Sequence, residues 1–163
     1  MLTEEDKKAL MLQGEHFFIE AECFFNRPFI RPTYLFNQRG KAAGTAHLQR
    51  NLIKINPILF ANNKKEFFAQ VIGHEVAHLI TFQHYGKVRP HGKEWQHVMT
   101  QAFRLPALTT HQLNIDDVVG KQFPYRCLCS THKLTIRRHN KVLKGTQYLC
   151  KKCRSILHFD PIV

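Results

Sequence analysis

Residues 63–86 place two opposing demands on one stretch of chain. Phe67, Phe68, Val71, Ile72, Val76, Leu79, Ile80 and Phe82 recur at helical spacing and predict a largely buried helix that runs to about Tyr85, with Gly86 as its stop. Asn63, with Glu66 three residues later, predicts a capping-box-like start. Into this apolar helix the sequence inserts His74, Glu75 and His78 in the order H-E-x-x-H. Burying two imidazoles and a carboxylate without partners is costly. Four residues apart on a helix, His74 and His78 project from one face and can share one metal ion. Glu75 sits about 100° around and reaches a water at that metal rather than the metal itself. The pattern predicts a catalytic zinc that lowers the pKa of a water and polarises a carbonyl, with Glu75 taking the water's proton.

A tetrahedral catalytic zinc needs a third protein ligand. The stretch GHEVAHLITFQHYGKVRPHGKEW at residues 73–95 offers His84, His91 and Glu94. His84 stands at metzincin spacing, but that arrangement needs a helix-breaking glycine where this chain has Thr81, between Ile80 and Phe82. In an unbroken helix, His84 lies about 9 Å along the axis from His78 and on a different face. His91 and Glu94 both stand where a second helix begins after a loop long enough to turn back. Geometry alone prefers His91 only mildly.

Elsewhere the chain alternates helix and short strands. Thr3 caps a first helix whose acids Glu4, Glu5 and Asp6 suit the positive end of its dipole, and Leu10, Phe17, Ala21 and Phe24 form its core stripe. Cys23 reads as a buried thiol within it. Pro28 and Pro32 end that pattern; residues 33–36 and 48–55 read as strands, separated by the glycine-rich NQRGKAAGTA at residues 37–46. Asn56-Pro57 reads as a helix cap with proline at the first helical position. A further helix is expected over residues 92–103, then a connector over 104–122. The N-terminus has no apolar signal-like region and no run of about 18 apolar residues exists, so a cytoplasmic protein away from membranes is expected; a monomer is the expected state.

Charge divides the chain. Residues 1–120 hold 14 Lys and Arg against 11 Asp and Glu; residues 121–159 hold 10 Lys and Arg and no acid. Such asymmetry points to a polyanion-binding segment, with a solubilising tail as the plainer reading. Cys127, Cys129, Cys150 and Cys153 all fall in this basic part. Without a secretory signal a metal site explains them better than disulfides do. Two cysteine knuckles separated by 20 residues suit a closed, structural zinc. The Cys-x-Cys spacing is tight, so His132 stands as an alternative to Cys127. Residues 134–137 and 142–144 read as strands joined by a basic turn at 138–141. Arg126, Lys133, Arg137, Arg138, Lys141 and Lys144 are the candidate nucleic-acid contacts, suited to gripping phosphates without reading sequence. Tyr125 and Tyr148 are candidate stacking residues.

HEVAH followed by PHGKEW, with QRGKAAGTA before the metal helix, FPYRC at residues 123–127 and RRHNKV at 137–142, closely resembles the bacterial SprT family, relatives of the Spartan proteases. The similarity spans almost the whole chain. It implies an α+β fold: a zincin-like minimal metalloprotease domain over residues 1–120, followed by a small basic zinc-ribbon module over 121–163. It implies His74, His78 and His91 as ligands of a catalytic Zn2+, and Glu75 as catalytic base. It also implies activity on proteins near or crosslinked to DNA. In such folds an edge strand above the metal pairs with extended substrate; residues 42–46 suit that strand, or form an ordinary turn. The rival expectation is a nucleic-acid-binding regulator whose zinc sites are mainly structural.

Overall fold

The computed structural model describes residues 2–110 and 112–161. The chain forms two compact units, Met1–Val118 and Val119–Val163, each mixing helix with a small three-stranded sheet. Among the described residues no helix is long and apolar enough to cross a membrane.

In the first unit, helix α1 (Glu4–Phe25) starts from a capping box: the Thr3 hydroxyl accepts from the Asp6 N–H, and the Asp6 carboxylate accepts from the Thr3 N–H. It ends at Asn26, which takes the left-handed conformation with φ 50°. Its buried face is Leu10, Gly14, Phe17, Phe18 and Ala21. Two expectations fail here, because Phe24 is 45% exposed and Cys23 is exposed as well. The 3.6-residue period carries the core-facing stripe from Phe18 and Ala21 to Phe25, which packs edge-on against Phe29, and leaves Cys23 and Phe24 outside.

Strands β1 (Thr33–Leu35), β2 (Gly44–His47) and β3 (Leu52–Ile55) form a sheet in the order β1-β3-β2, with β3 parallel to β1 and antiparallel to β2. The single strand expected over residues 48–55 is broken. Leu48–Arg50 is a 3-10 turn, and Asn51 with φ 46° reverses the chain into β3. The Asn51 side chain donates to the carbonyls of Ile30 and Arg31, which fixes that bend. Asn56 caps helix α2 (Pro57–Asn62) as expected, accepting from the N–H groups of Ile58 and Leu59. Its amide nitrogen also donates to Gly40 and Ala42, pinning the glycine-rich loop beside β2.

Residues 64–85 run as one long helical path: α3 (Lys64–Glu66), a wide π-type turn (Phe67–Val71) and α4 (Ile72–Tyr85). Asn63 does not cap it; its side chain is used elsewhere, as described below. Helix α5 (Lys93–His97) continues into a second π-type turn (Val98–Ala102). The core joins Phe17 and Phe18 of α1, Ile53 and Ile55 of β3, Val76 and Leu79 of α4, and Trp95, Val98 and Met99. Helix α4 is therefore gripped on both sides, which keeps its polar residues in fixed positions.

In the second unit, β4 (Gln122–Arg126) pairs antiparallel with β5 (Thr131–Thr135) and with the short β6 (His158–Phe159). The expected second strand pair over 134–137 and 142–144 is not formed; residues Ile136–Leu143 are helix α6. No glycine or proline interrupts residues 136–144, and a helix places His139 and Val142 on one face toward β4. His139 is buried, stacked on Phe123 with ring centroids 3.7 Å apart and 4° between planes, and its Nδ1 lies 3.0 Å from the Tyr125 hydroxyl. Gly145, at φ 92°, ends the helix, with its N–H bonded to the Val142 carbonyl.

Candidate functional site

Helix α4 remains unbroken through Thr81 to Tyr85, so one face carries His74 and His78 toward the same point. The third imidazole comes from a turn. Pro90 and His91 are the central residues of a bend closed by the Gly92 N–H on the Arg89 carbonyl at 3.0 Å, and His91 adopts φ 54°. That left-handed corner usually belongs to glycine or asparagine, and bulkier residues held there concentrate at functional sites. The Gln96 side chain donates to the His91 carbonyl at 3.0 Å and steadies the turn.

The three Nε2 atoms form a nearly equilateral triangle, with edges of 3.2 Å between His74 and His78, 3.1 Å between His78 and His91, and 3.0 Å between His91 and His74. Three ring nitrogens converging in this way cannot all satisfy one another by hydrogen bonding, whereas a cation at their focus satisfies every lone pair. A tetrahedral zinc with bonds of about 2.0–2.1 Å needs nitrogens ~3.3 Å apart, close to the observed edges. The residues therefore fit a metal ion. His74 Nδ1 lies 3.2 Å from the Leu108 carbonyl and must donate to it, which leaves the Nε2 lone pair directed at the focus. Burial, reinforced by neighbouring His91, pushes His78 down to about 4, and burial lowers His91 too. Both are then neutral near pH 7, the form that ligates metal.

His84 and Glu94 lie outside this cluster. His84 is half-buried, its ring 4.2 Å from that of Phe25. Sequence reasoning assigned no role to Trp95, yet it is the floor of the site. Its ring centroid lies 4.8 Å from His74, 5.5 Å from His78 and 4.7 Å from His91, and its indole N–H points to the His74 carbonyl at 3.4 Å. Its presence in PHGKEW, one turn after His91, was the available signal.

Glu75 is only 6% exposed and borders a cavity of about 320 Å3 whose lining also includes Ala42, Ala43 and Gly44 before β3 and Thr109, Leu113 and Ile115 of the later segment. Burial pushes its carboxyl up to about 8, opposed by a hydrogen bond from the Ala46 backbone. Strand β2 lies at the open edge of its sheet. The Ala43 carbonyl accepts from Asn56 N–H at 2.8 Å, so by antiparallel alternation Gly44 and Ala46 turn their backbone groups outward, toward the cleft. The segment expected to be a plain connector supplies part of that lining and the acceptor for His74.

In the second unit the Sγ atoms of Cys127, Cys129, Cys150 and Cys153 lie within 4.8 Å of one another. Cys127 to Cys129 is 3.5 Å and Cys129 to Cys150 is 3.8 Å, against the ~3.8 Å that Zn–S bonds of about 2.3 Å imply. All are free thiols. Hydrogen bonding from Ser130, then from His132 and the Cys129 N–H, pulls the Cys127 thiol down to about 4, favouring the thiolate. His132 sits beside the cluster, with Nε2 3.1 Å from Cys127 Sγ.

The helix re-sorts the expected basic contacts. Arg137, Lys141 and Lys144 fall on one exposed face of the α6 path at helical spacing. Lys133 and Arg138 instead border a groove of about 430 Å3 with Tyr148, Lys151 and Lys152, and the Arg138 guanidinium lies 5.9 Å from the Tyr148 ring. Lys151 and Lys152 were missed, though they stand between the last two cysteines. Arg126 is engaged by Asp160 at 3.1 Å. Tyr125 is 1% exposed, which removes it as a stacking candidate.

The family model described as the SprT-like family matches residues 14–112. Curated proteins named Protein SprT are similar over most of the chain. That of Vibrio parahaemolyticus is 56% identical, covering 87% of this chain and 87% of its own length. That of Shewanella oneidensis is 50% identical, covering 85% and 89%. That of Klebsiella pneumoniae is 42% identical, covering 93% and 92%. No solved structure matches.

Proposed function

The chain belongs to the SprT-like family, and we propose that it is a zinc-dependent endopeptidase of zincin-like build that acts on DNA-bound or DNA-crosslinked proteins. The observation that carries this reading is a buried carboxylate, Glu75, lining an open cleft together with His74, one of three converging imidazoles. His74, His78 and His91 would hold Zn2+, which when bound supplies Lewis acidity toward a peptide carbonyl and toward water. Glu75 moves the proton: it takes one from water and returns it to the departing amine. A cation beside it favours its ionised form, offsetting the burial that otherwise keeps it protonated. The outward Gly44 N–H and Ala46 carbonyl pair with an extended substrate, the Ala46 N–H being engaged by Glu75, which gives recognition through main chain rather than side-chain identity. In the second unit the four cysteines would close the shell of a structural zinc, and the basic groove and α6 face would hold nucleic-acid phosphates.

The test is cleavage of a DNA-bound protein by wild type and by Glu75→Gln, with and without DNA. Loss of the carboxylate is expected to reduce turnover by about 10²–10⁴-fold while zinc content stays the same. Equal behaviour of the two proteins would instead favour a nucleic-acid-binding regulator with structural zincs.

A further inference from the structure

We propose, building on the endopeptidase reading, that Asn63 is a positioning residue for substrate, holding residues 113–115 as a wall of the Glu75 cleft. Asn63 is 5% exposed, and its amide is used almost fully. The nitrogen donates to the Leu59 carbonyl at 2.8 Å and the Asn114 carbonyl at 2.9 Å, and the oxygen accepts from the Asn114 N–H at 2.7 Å. A single side chain thus makes with Asn114 the two-bond pairing that a neighbouring strand would make. Among the described residues, 104–118 enter no β-ladder, so this pairing takes the place of a sheet neighbour.

Exposure alternates along the segment it grips. The Asn114 side chain turns outward, its oxygen accepting from the Asp116 N–H at 2.9 Å, while Leu113 and Ile115 turn inward against the core. Those two line the Glu75 cavity together with Ala42, Ala43 and Gly44. Asn63 does not itself line the cavity with His74 and Glu75, so its effect passes through Leu113 and Ile115. His74 is set by helix α4 itself and by the Leu108 carbonyl, six residues before the Asn114 that Asn63 grips. Removing the Asn63 amide therefore loosens substrate contacts and leaves the metal ligands in place.

The experiment combines kinetics on a fluorogenic unstructured peptide with zinc analysis and amide hydrogen exchange. Asn63→Ala is expected to raise KM on the order of tenfold, with kcat changed by less than about threefold and zinc content unchanged. The Asn114 amide should exchange faster while the core amides of α4 keep their protection. The double variant Leu113→Ala/Ile115→Ala should raise KM similarly, and adding Asn63→Ala to it should multiply the effect by far less than the single change does. Unchanged KM, fully multiplicative effects, or equally faster exchange throughout α4 would each overturn the proposal. Should Asn63→Ala fail to fold, Asn63→Asp retains the acceptor for the Asn114 N–H and loses the donor; an intermediate KM supports the assignment and a wild-type KM overturns it. If the wild-type protein cleaves neither the peptide nor a DNA-bound protein, the endopeptidase reading alone fails. Exchange at Asn114 then decides the Asn63 assignment, faster exchange in Asn63→Ala supporting its hold on the wall and unchanged exchange overturning it.

Discussion

Gly44 and Glu75 are packed so closely that no side-chain carbon fits between them: a β-carbon on Gly44 would lie 2.8 Å from Glu75 Cγ and 3.0 Å from its Oε1. The carboxylate rests against the bare backbone of β2, where the Ala46 N–H also holds it. Gly44→Ala is therefore expected to displace Glu75 and to reduce kcat/KM by about 10–100-fold with zinc retained. Steady-state kinetics with metal analysis measures both quantities. Wild-type turnover in this variant would show that Glu75 does not act from its place beside β2.

Metal content distinguishes the histidines. Wild-type protein is expected to carry two zincs per chain, one at the imidazole triangle and one at the four cysteines. His91→Ala should lose the first, and His84→Ala and Glu94→Ala should lose neither. Two zincs remaining in His91→Ala would rule out the triangle as the site.

Acid stability follows from α1. The Arg31 guanidinium, with help from the Phe29 N–H, holds the Glu22 carboxyl down at about 2, and Lys64 with Thr3 holds Asp6 at about 2. Both folded values lie below the ordinary ones of 4.5 and 3.8, so the stabilisation is complete above those values and is lost as pH falls toward 2. The melting temperature of Glu22→Gln should lie below that of wild type at pH 7, and the gap should close on acidification. A gap that stays constant down to pH 2 would mean that the Arg31 contact does not shift this titration.

Nucleic-acid binding should weaken steeply with salt, with a log–log slope that falls by about 0.7–0.9 for each phosphate contact removed. Lys151→Ala, Lys152→Ala and Arg138→Ala should each reduce the slope. Arg126→Ala should change it less, because Asp160 already occupies that guanidinium. Titrations of a labelled oligonucleotide at several salt concentrations measure this, and a flat dependence would leave the second unit without a role in phosphate binding.

Local pattern was most legible where one physical demand dominated. Thr3, Asn56 and Gly86 marked helix ends because their side chains, or the lack of one, settle the local hydrogen bonding. The apolar spacing from Phe67 to Phe82 located the metal-bearing helix for the same kind of reason. The pattern misled where short-range signals were balanced. RRHNK reads as a basic turn, but its helical face is recruited by the Phe123 ring, which stacks on His139. Asn63 looked like a cap, but it serves Asn114, 51 residues away.

By itself the sequence determined the buried helix, the pair His74 and His78 on one of its faces, the buried Glu75 beside them, and a basic second unit with four cysteines. Those follow from helical periodicity and from the cost of burying polar groups in an apolar stretch. Only the tertiary structure decided that the loop ending at His91 closes the triangle, that Trp95 supports all three rings, and that Thr109, Leu113 and Ile115 line the cavity of Glu75. Each of these rests on contacts between segments distant along the chain. Local spacing constrains a residue's own helix or strand, whereas loop closure and core packing decide what that residue meets.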